Sequence, residues 1–290
     1  MDNCNICQSP RVAPFFKLQA GGYHVWRCAA CGLQFLHPQP DDATLGAIYS
    51  AHYFLGDGTR ESEETVLALK RQTAALYLNQ LRRLVKAKAP RLLELGCGRG
   101  EFLMEAHARG FDVYGVEYSH HAVDAANKRL GGNRVCAGTI EESDLADESF
   151  DVCVFVDVIE HVRDPRRFLA AVGRVLKPGG LAYVVTPSLD SWSAKLLKRK
   201  WMEYKVEHLY YFNEKSIRLA LETGGFERVH LMKNPKVLSL DYVAHHFKRF
   251  PVPVWSKIVR GTRALVPGSL AHRQFQLVAS GMVAMARKRA

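Results

Sequence analysis

From residue 91 onward the chain alternates between two patterns. Short apolar runs bounded by glycine or charged residues read as strands at 91–96, 112–117, 134–137, 150–157 and 181–186. Between most of them, apolar positions recur every three or four residues, the period of a helix packed on one side. Strand and helix in alternation predict an α/β fold with a parallel sheet covered on both faces, and ligands bind such sheets at the carboxyl ends of the strands. Two later runs, 226–232 and 275–286, are expected to complete the sheet. Upstream, 41–89 reads as helical, with Val66, Leu69, Leu76, Leu81 and Leu84 on one face among Lys and Arg. That segment either packs on the main domain as a cover for its ligand or serves as a plain linker.

The first 40 residues carry a different signal. Cys4 and Cys7 form one C-x2-C pair and Cys28 and Cys31 another, twenty residues apart, near the spacing of a four-cysteine zinc site. Each pair sets two thiolates on one side of a tight knuckle, and the residues between read as a hairpin turned at Gly21 and Gly22. The expected metal is structural Zn2+, because four thiolates leave no open position for water. The chain holds seven cysteines, an odd number that suits a reducing compartment better than a disulfide framework. No apolar run reaches 18 residues, and the first residues lack the charged-then-apolar order of a signal peptide, so a cytoplasmic location is expected.

Composition changes the picture only a little. At 290 residues and 48% hydrophobic, the chain can bury a full core as one or two domains. Its net charge of +11 favours acidic partners, whether nucleic acid, phosphorylated substrates or an anionic membrane.

The sharpest local feature is LLELGCGRGEF, residues 92–102, with glycines at 96, 98 and 100 just before a helix. Glycines there permit positive backbone angles and close approach of a ligand to the main chain. A dinucleotide fingerprint would place its third glycine at 101, where this chain has Glu101. An acid at that helix start would repel a pyrophosphate. A ligand with no phosphate, a cationic centre and an amino-acid end fits instead, which points to S-adenosylmethionine.

LLELGCGRG resembles the first motif of class I S-adenosylmethionine-dependent methyltransferases, and VYGVEYS, GTIEES, FDVCVFVDVIEHV and LKPGG follow in that family's order. The likeness extends through EHLYYF to Phe226. It implies a Rossmann-like doubly wound sheet, mostly parallel with an antiparallel last strand, here behind a small zinc-ribbon-like segment. The domain reading is thus 1–40, ribbon; 41–89, helical linker or lid; 90–290, methyltransferase domain with insertions at about 187–214 and 233–273.

The resemblance also implies roles for residues. Glu117 would accept both ribose hydroxyls, and Gly96 and Gly98 would face the methionine moiety, with Glu94 organising the loop. Gly100 belongs to the same turn and also suits close packing. Thr139 and Ile140 fall where the family contacts adenine, and Asp157 where it places groups around the methionine amino group or the incoming substrate. His161 and His208 are the candidate bases for a hydroxyl acceptor, with Glu207 a candidate to orient His208. DVIEHV is similar to a segment of ubiquinone-biosynthesis O-methyltransferases that binds a divalent ion, a likeness that would make Asp157, Glu160 and His161 its ligands. The downstream sequence departs from that group.

Acceptor chemistry is read from 187–212. Trp192, Trp201, Tyr204, Tyr210 and Tyr211 could wall a sugar or aromatic acceptor or, for most of them, form core under a loop, and Lys195, Lys198, Arg199 and Lys200 could attract phosphate. The stretch 233–273 carries eight Lys or Arg against one acid, Asp241, and its part 237–268 suits a lid, a homodimer contact or peripheral membrane contact. The leading expectation is methylation of a small-molecule, sugar or glycolipid acceptor, at oxygen. The alternatives are an RNA methyltransferase that uses the ribbon and basic surface, and a nonenzymatic cofactor-binding or docking protein.

Overall fold

A computed structural model describes residues 3–18, 22–48, 60–249 and 255–290. The main sheet has seven strands. β4 (Arg91–Leu95), β5 (Asp112–Glu117), β6 (Val135–Ala137), β7 (Phe150–Val156) and β8 (Leu176–Pro187) are parallel. The last two, β10 (Phe226–Ser239) and β11 (Gln274–Lys288), pair antiparallel with each other, and β11 pairs antiparallel with β8. The order β10-β11-β8-β7-β4-β5-β6 reverses direction between β4 and β7. The tips of those two strands therefore flank the crevice where such sheets bind ligands.

Both faces of the sheet are covered. β4 is buried over most of its length, and its neighbouring residues divide between two cores: Leu92 joins Tyr77, Leu81 and Leu103, while Leu93 joins Phe155, Leu169 and Ile217. The first core lies under α2 (Arg60–Leu84) and α3 (Glu101–Ala108), and the second under α5 (Pro165–Val175) and α7 (Glu214–Thr223). Helix starts follow from local chemistry. Ser119 caps α4 (His120–Leu130), Asp164 caps α5 with proline at the first helical position, and Asn213 forms a reciprocal capping box with Ser216. Of the expected helical segment 41–89, α1 (Asp42–Ile48) and α2 are described, and 49–59 lies outside the described residues.

The amino-terminal segment is a second sheet of four strands, β1 (Val12–Lys17), β2 (His24–Cys28), β3 (Gln34–His37) and β9 (Tyr210–Tyr211). The turn expected at Gly21 and Gly22 falls partly outside the described residues, since Gly21 is not among them. β3 and β9 pair antiparallel, Gln34 opposite Tyr211 and Phe35 opposite Tyr210. The ribbon sheet thus crosses the boundary expected at residue 40 and incorporates part of the insertion at 187–214.

Strand limits depart from expectation where proline and glycine occur. β8 starts at Leu176, because Leu176 already pairs with Phe150 ahead of the Pro-Gly-Gly stretch, five residues before the expected start. β10 continues past 232 through a register break at Lys233/Pro235 to Ser239, forming with β11 a two-stranded ribbon beyond the end of β8. The basic stretch that follows folds into α8 (Leu240–Arg249), α9 (Trp255–Leu265) and α10 (Gly268–Ala271) after α6 (Trp192–Leu197) and α7 have been formed upstream.

Candidate cofactor and acceptor site

The glycine turn connects the tip of β4 to α3. All three glycines take positive φ, +67° at Gly96, +53° at Gly98 and +80° at Gly100. Their surroundings differ. A Cβ on Gly98 would meet nothing within 4 Å, leaving open space against the main chain, whereas one on Gly100 would lie 3.1 Å from Ala126 Cβ, where α3 packs on α4. Gly98 thus offers room for a ligand, and Gly100 serves packing. At Gly96 a side chain would collide with Val158, which follows β7, so the two strand tips touch at this point.

Glu117 ends β5 and is 5% exposed. Its carboxylate accepts from the backbone N–H of Gly98 at 2.8 Å and of Ser119 at 3.0 Å. Glu94, one strand inward, is buried, and its Oε2 has no hydrogen-bond partner among the described residues. Burial, reinforced by the charges of Glu101 and Glu117, holds its pKa well above the usual carboxylate range. An open main chain at Gly98 and an orphaned acid beside it fit a ligand that brings cationic and hydrogen-bonding groups, as the methionine end of S-adenosylmethionine would. Thr139 donates its hydroxyl to Glu142 at 3.0 Å, and Ile140 is buried and joins the core that includes Phe155 and Phe168.

Asp157, just past β7, sits at φ +54°, and its carboxylate accepts from Lys236 Nζ on β10 at 3.2 Å. That charge holds the Lys236 ammonium above its ordinary range. Lys236 was missed in the sequence, since nothing local marks it among other basic residues 79 positions away. Beside it, the buried Tyr77 on α2 donates to Asn234 Oδ1 at 2.6 Å. α2 therefore packs against the strand that carries Lys236.

His161 and His208 come together although 46 residues separate His161 from Glu207, its main-chain partner. Their rings meet edge to face at 4.7 Å between centroids. Burial lowers His161 to about 4 and places His208 well below the usual imidazole range, the latter helped by the charge of His161. Glu207 does not orient His208. Its carbonyl instead accepts from His161 Nδ1 at 2.9 Å, because the chain from 207 to 210 folds back onto the turn after β7, where Leu209 and Tyr210 donate to the Glu160 carbonyl. Glu160 is 1% exposed, and its carboxylate accepts from Thr186 Oγ1 at 3.0 Å.

The expected aromatic wall is mostly core. Trp201, Tyr210 and Tyr211 are buried, and Tyr204 packs between Phe16 and Tyr211, because pairing of β9 with β3 turns this segment inward. Trp192 is the exception at 60% exposed. It lines a cavity of about 1020 Å³ between the ribbon, α6, α7 and β11, together with Lys195, Lys215, Arg218 and Lys233.

In the ribbon, Cys4 Sγ lies 3.6 Å from Cys31 Sγ and Cys7 Sγ 3.5 Å from Cys28 Sγ, and all four sulfurs fall within 4.8 Å of one another. A tetrahedral zinc with bonds of about 2.3 Å requires sulfur separations of about 3.8 Å, so the set fits that ion. Among the described residues, no helix is long and apolar enough to cross a membrane.

Residues 69–231, more than half of the chain, match the family described as methyltransferase domain. A ubiquinone biosynthesis O-methyltransferase from Sinorhizobium fredii is 38% identical over 104 residues, 34% of this chain and 42% of that protein. A probable S-adenosylmethionine-dependent methyltransferase from Mycolicibacterium smegmatis is 32% identical over 139 residues, 47% of this chain and 51% of that protein. The matched regions thus span about half or less of these relatives. Among solved structures, the YcgJ protein of Bacillus subtilis aligns with TM-score 0.52 at 17% identity, covering 76% of this chain and 99% of that one. A methyltransferase from Thermotoga maritima, described as a possible histamine N-methyltransferase, aligns with TM-score 0.50 at 24% identity over 77% of this chain and 92% of that one. At these identities the structures speak for the fold. With that fold, the glycine turn at the β4 tip and a family match from α2 into β10, the chain belongs to the methyltransferase domain family, the S-adenosylmethionine-dependent methyltransferases of this architecture.

Proposed function

We propose that the protein transfers a methyl group from S-adenosylmethionine to an oxygen of a small-molecule, sugar or glycolipid acceptor. The observation that carries this reading is the Gly98–Glu117 contact at the strand tips, beside an open main chain, with the Asp157–Lys236 pair just past β7. When bound, the cofactor supplies a methyl on a sulfonium, a leaving group that is already activated. The protein's share is alignment and exclusion of water. In this reading Glu117 grips the ribose, Gly96 and Gly98 line the methionine, and Asp157 faces the amino group or the acceptor. Thr139 and the backbone at Ile140 border the adenine. His161 and His208 are the candidate bases for a hydroxyl acceptor, and burial, which disfavours the imidazolium of both, makes them weaker bases than free imidazole.

The four cysteines hold a structural zinc in this reading, and it supplies folding energy to the ribbon rather than chemistry. The cavity bearing Trp192 and four basic side chains favours acceptors that carry a ring and a phosphate. The test is to incubate the protein with labelled cofactor and to separate lipid, glycan, small-molecule and RNA fractions of a host extract. Label in the first three classes supports the proposal. Label in RNA alone transfers the case to the nucleic-acid reading.

A further inference from the structure

Helices that pack on a core turn their apolar stripe inward, and α9 does the reverse. It is fastened to α8 by Ser256, whose Oγ donates to the Phe247 carbonyl at 3.3 Å, and by Arg263, which donates to Asp241. Ser256 and Arg263 stand seven positions apart and so share one face of the helix. Ile258 and Leu265 each lie two positions further on, about 200° round the axis, and therefore project from the opposite face. They are 50% and 87% exposed. Trp255, at the start of α9, and Leu270, on α10, are exposed as well. Exposed leucines scattered singly need no account, but apolar side chains in register on one outward face mark a contact surface.

The rim of that face is basic. Lys257 and Arg260 on α9, Lys248 on α8 and Arg273 after α10 are exposed, and Asp241 is the one acid of 233–273. Asp241 is itself engaged by Arg263 and lies 2.8 Å from His272 Nδ1, so it gives the surface no counter-charge. A nucleic acid would satisfy the cations and leave Leu265 in water. A second copy of the chain would set one basic rim against another, which like charges oppose. An anionic bilayer answers both halves of the face, with phosphate at the level of the Lys and Arg side chains and acyl chains beneath the apolar ones. Trp255 supplies the ring type that settles at that boundary. No described helix is long and apolar enough to cross a membrane, so the contact is one of lying on the surface.

We propose that α9 and α10 dock the protein on an anionic lipid surface, with Trp255, Ile258, Leu265 and Leu270 entering the headgroup boundary and Lys257 and Arg260 meeting lipid phosphate. Their place in the fold agrees with this. β10 is antiparallel to β11, and β11 to β8, so β10 runs in the direction of the parallel strands and delivers α8 and α9 on the side of the strand tips. On that side Lys236, near the end of β10, reaches Asp157 just past β7. Docking therefore turns the strand-tip side of the sheet toward the bilayer. The inference goes beyond the acceptor assignment and does not depend on it, because vesicle binding is read without cofactor and without methyl transfer.

The experiment sediments the full chain with vesicles of equal parts phosphatidylglycerol and phosphatidylcholine, and with vesicles of phosphatidylcholine alone, in about 0.15 M salt. Each basic side chain near an anionic surface contributes about fivefold to partitioning, so the charged vesicles should bind the protein at least about tenfold more tightly. The double variant Ile258→Asn, Leu265→Asn should lower that binding about tenfold or more, with a thermal melt close to the parent. Lys257→Glu with Arg260→Glu should abolish the preference for charged vesicles. Hydrogen exchange of the parent, with and without charged vesicles, decides the matter if a variant fails to fold: protection should be gained over 255–265. Equal binding to both kinds of vesicle overturns the proposal, and so do a parent that stays in the supernatant, variants that bind like the parent, and protection gained only elsewhere. Sedimentation velocity covers the remaining occupant. A parent dimer that the apolar double variant dissociates, with no vesicle binding by either, gives this face to a second copy and overturns the lipid assignment.

Discussion

The backbone N–H of Gly98 donates to Glu117 Oε2 at 2.8 Å, which ties the turn after β4 to the tip of β5. The acid proposed to grip the ribose is therefore already oriented by the turn proposed to line the methionine. Glu117→Ala removes both this tether and the proposed ribose contacts. Charge-assisted hydrogen bonds of this kind contribute about 1.5–3 kcal/mol, so cofactor affinity should fall by roughly 10- to 100-fold. Titration calorimetry measures it, and an unchanged dissociation constant would remove Glu117 from the ribose.

Glu94 gives a pH dependence with a definite sign. Its folded-state pKa is raised by burial first and by the neighbouring acids second, so above the unfolded-state value of about 4.5 the folded protein binds more protons than the unfolded chain. Stability contributed by this group is thus present at low pH and is lost as pH rises through the raised value. Glu94→Gln should flatten that loss, seen as a smaller decline in urea midpoint between pH 5 and pH 9. Cofactor affinity should move the opposite way in the parent, strengthening as pH rises, because a cationic ligand favours the ionised carboxylate.

Tyr77 and Asn234 form a buried pair whose amide nitrogen already lacks a partner. Tyr77→Phe leaves the amide oxygen without its donor as well. The expected destabilisation is about 1–3 kcal/mol, read from chemical denaturation with an unchanged m-value. A change within 0.3 kcal/mol would mean that solvent satisfies Asn234 in the variant.

Replacing Cys28 and Cys31 with serine should abolish binding of the proposed zinc and also loosen residues 209–212, because β9 takes its main-chain partners from β3 and from Glu160. Hydrogen exchange is the readout. Protection in 209–212 should drop at least tenfold while β4 and β7 keep theirs, and loss confined to residues before 40 would show that the two segments are independent.

Much of this architecture could be read from residue order. β7 is expected at 150–157 and spans Phe150–Val156, because a parallel strand at the sheet centre leaves a near-continuous apolar run. The glycine turn was legible for a similar local reason: three glycines and Glu101 together narrowed the ligand. What escaped was set by contacts distant in sequence. For Tyr210 and Tyr211 the sequence leaves wall and core both open, and pairing of β9 with β3 places them in the core. Lys236 reaches Asp157 from another strand, and the His161–His208 contact depends on how 203–210 folds back, which no periodicity encodes. Proline and glycine in LKPGG and KNPK concealed continuing strands, since those residues signal turns wherever tertiary pairing does not override them.

The pairing of Phe35 with Tyr210 also bears on the order in which the molecule can be made. A ribosome delivers β3 long before β9, so that edge must wait, bare, until the chain has been extended past residue 211. An uncovered strand edge is a template for association with other nascent chains. Shortening the interval, by a permuted gene that begins near β9, should therefore raise the soluble yield even though it adds no contact to the finished fold.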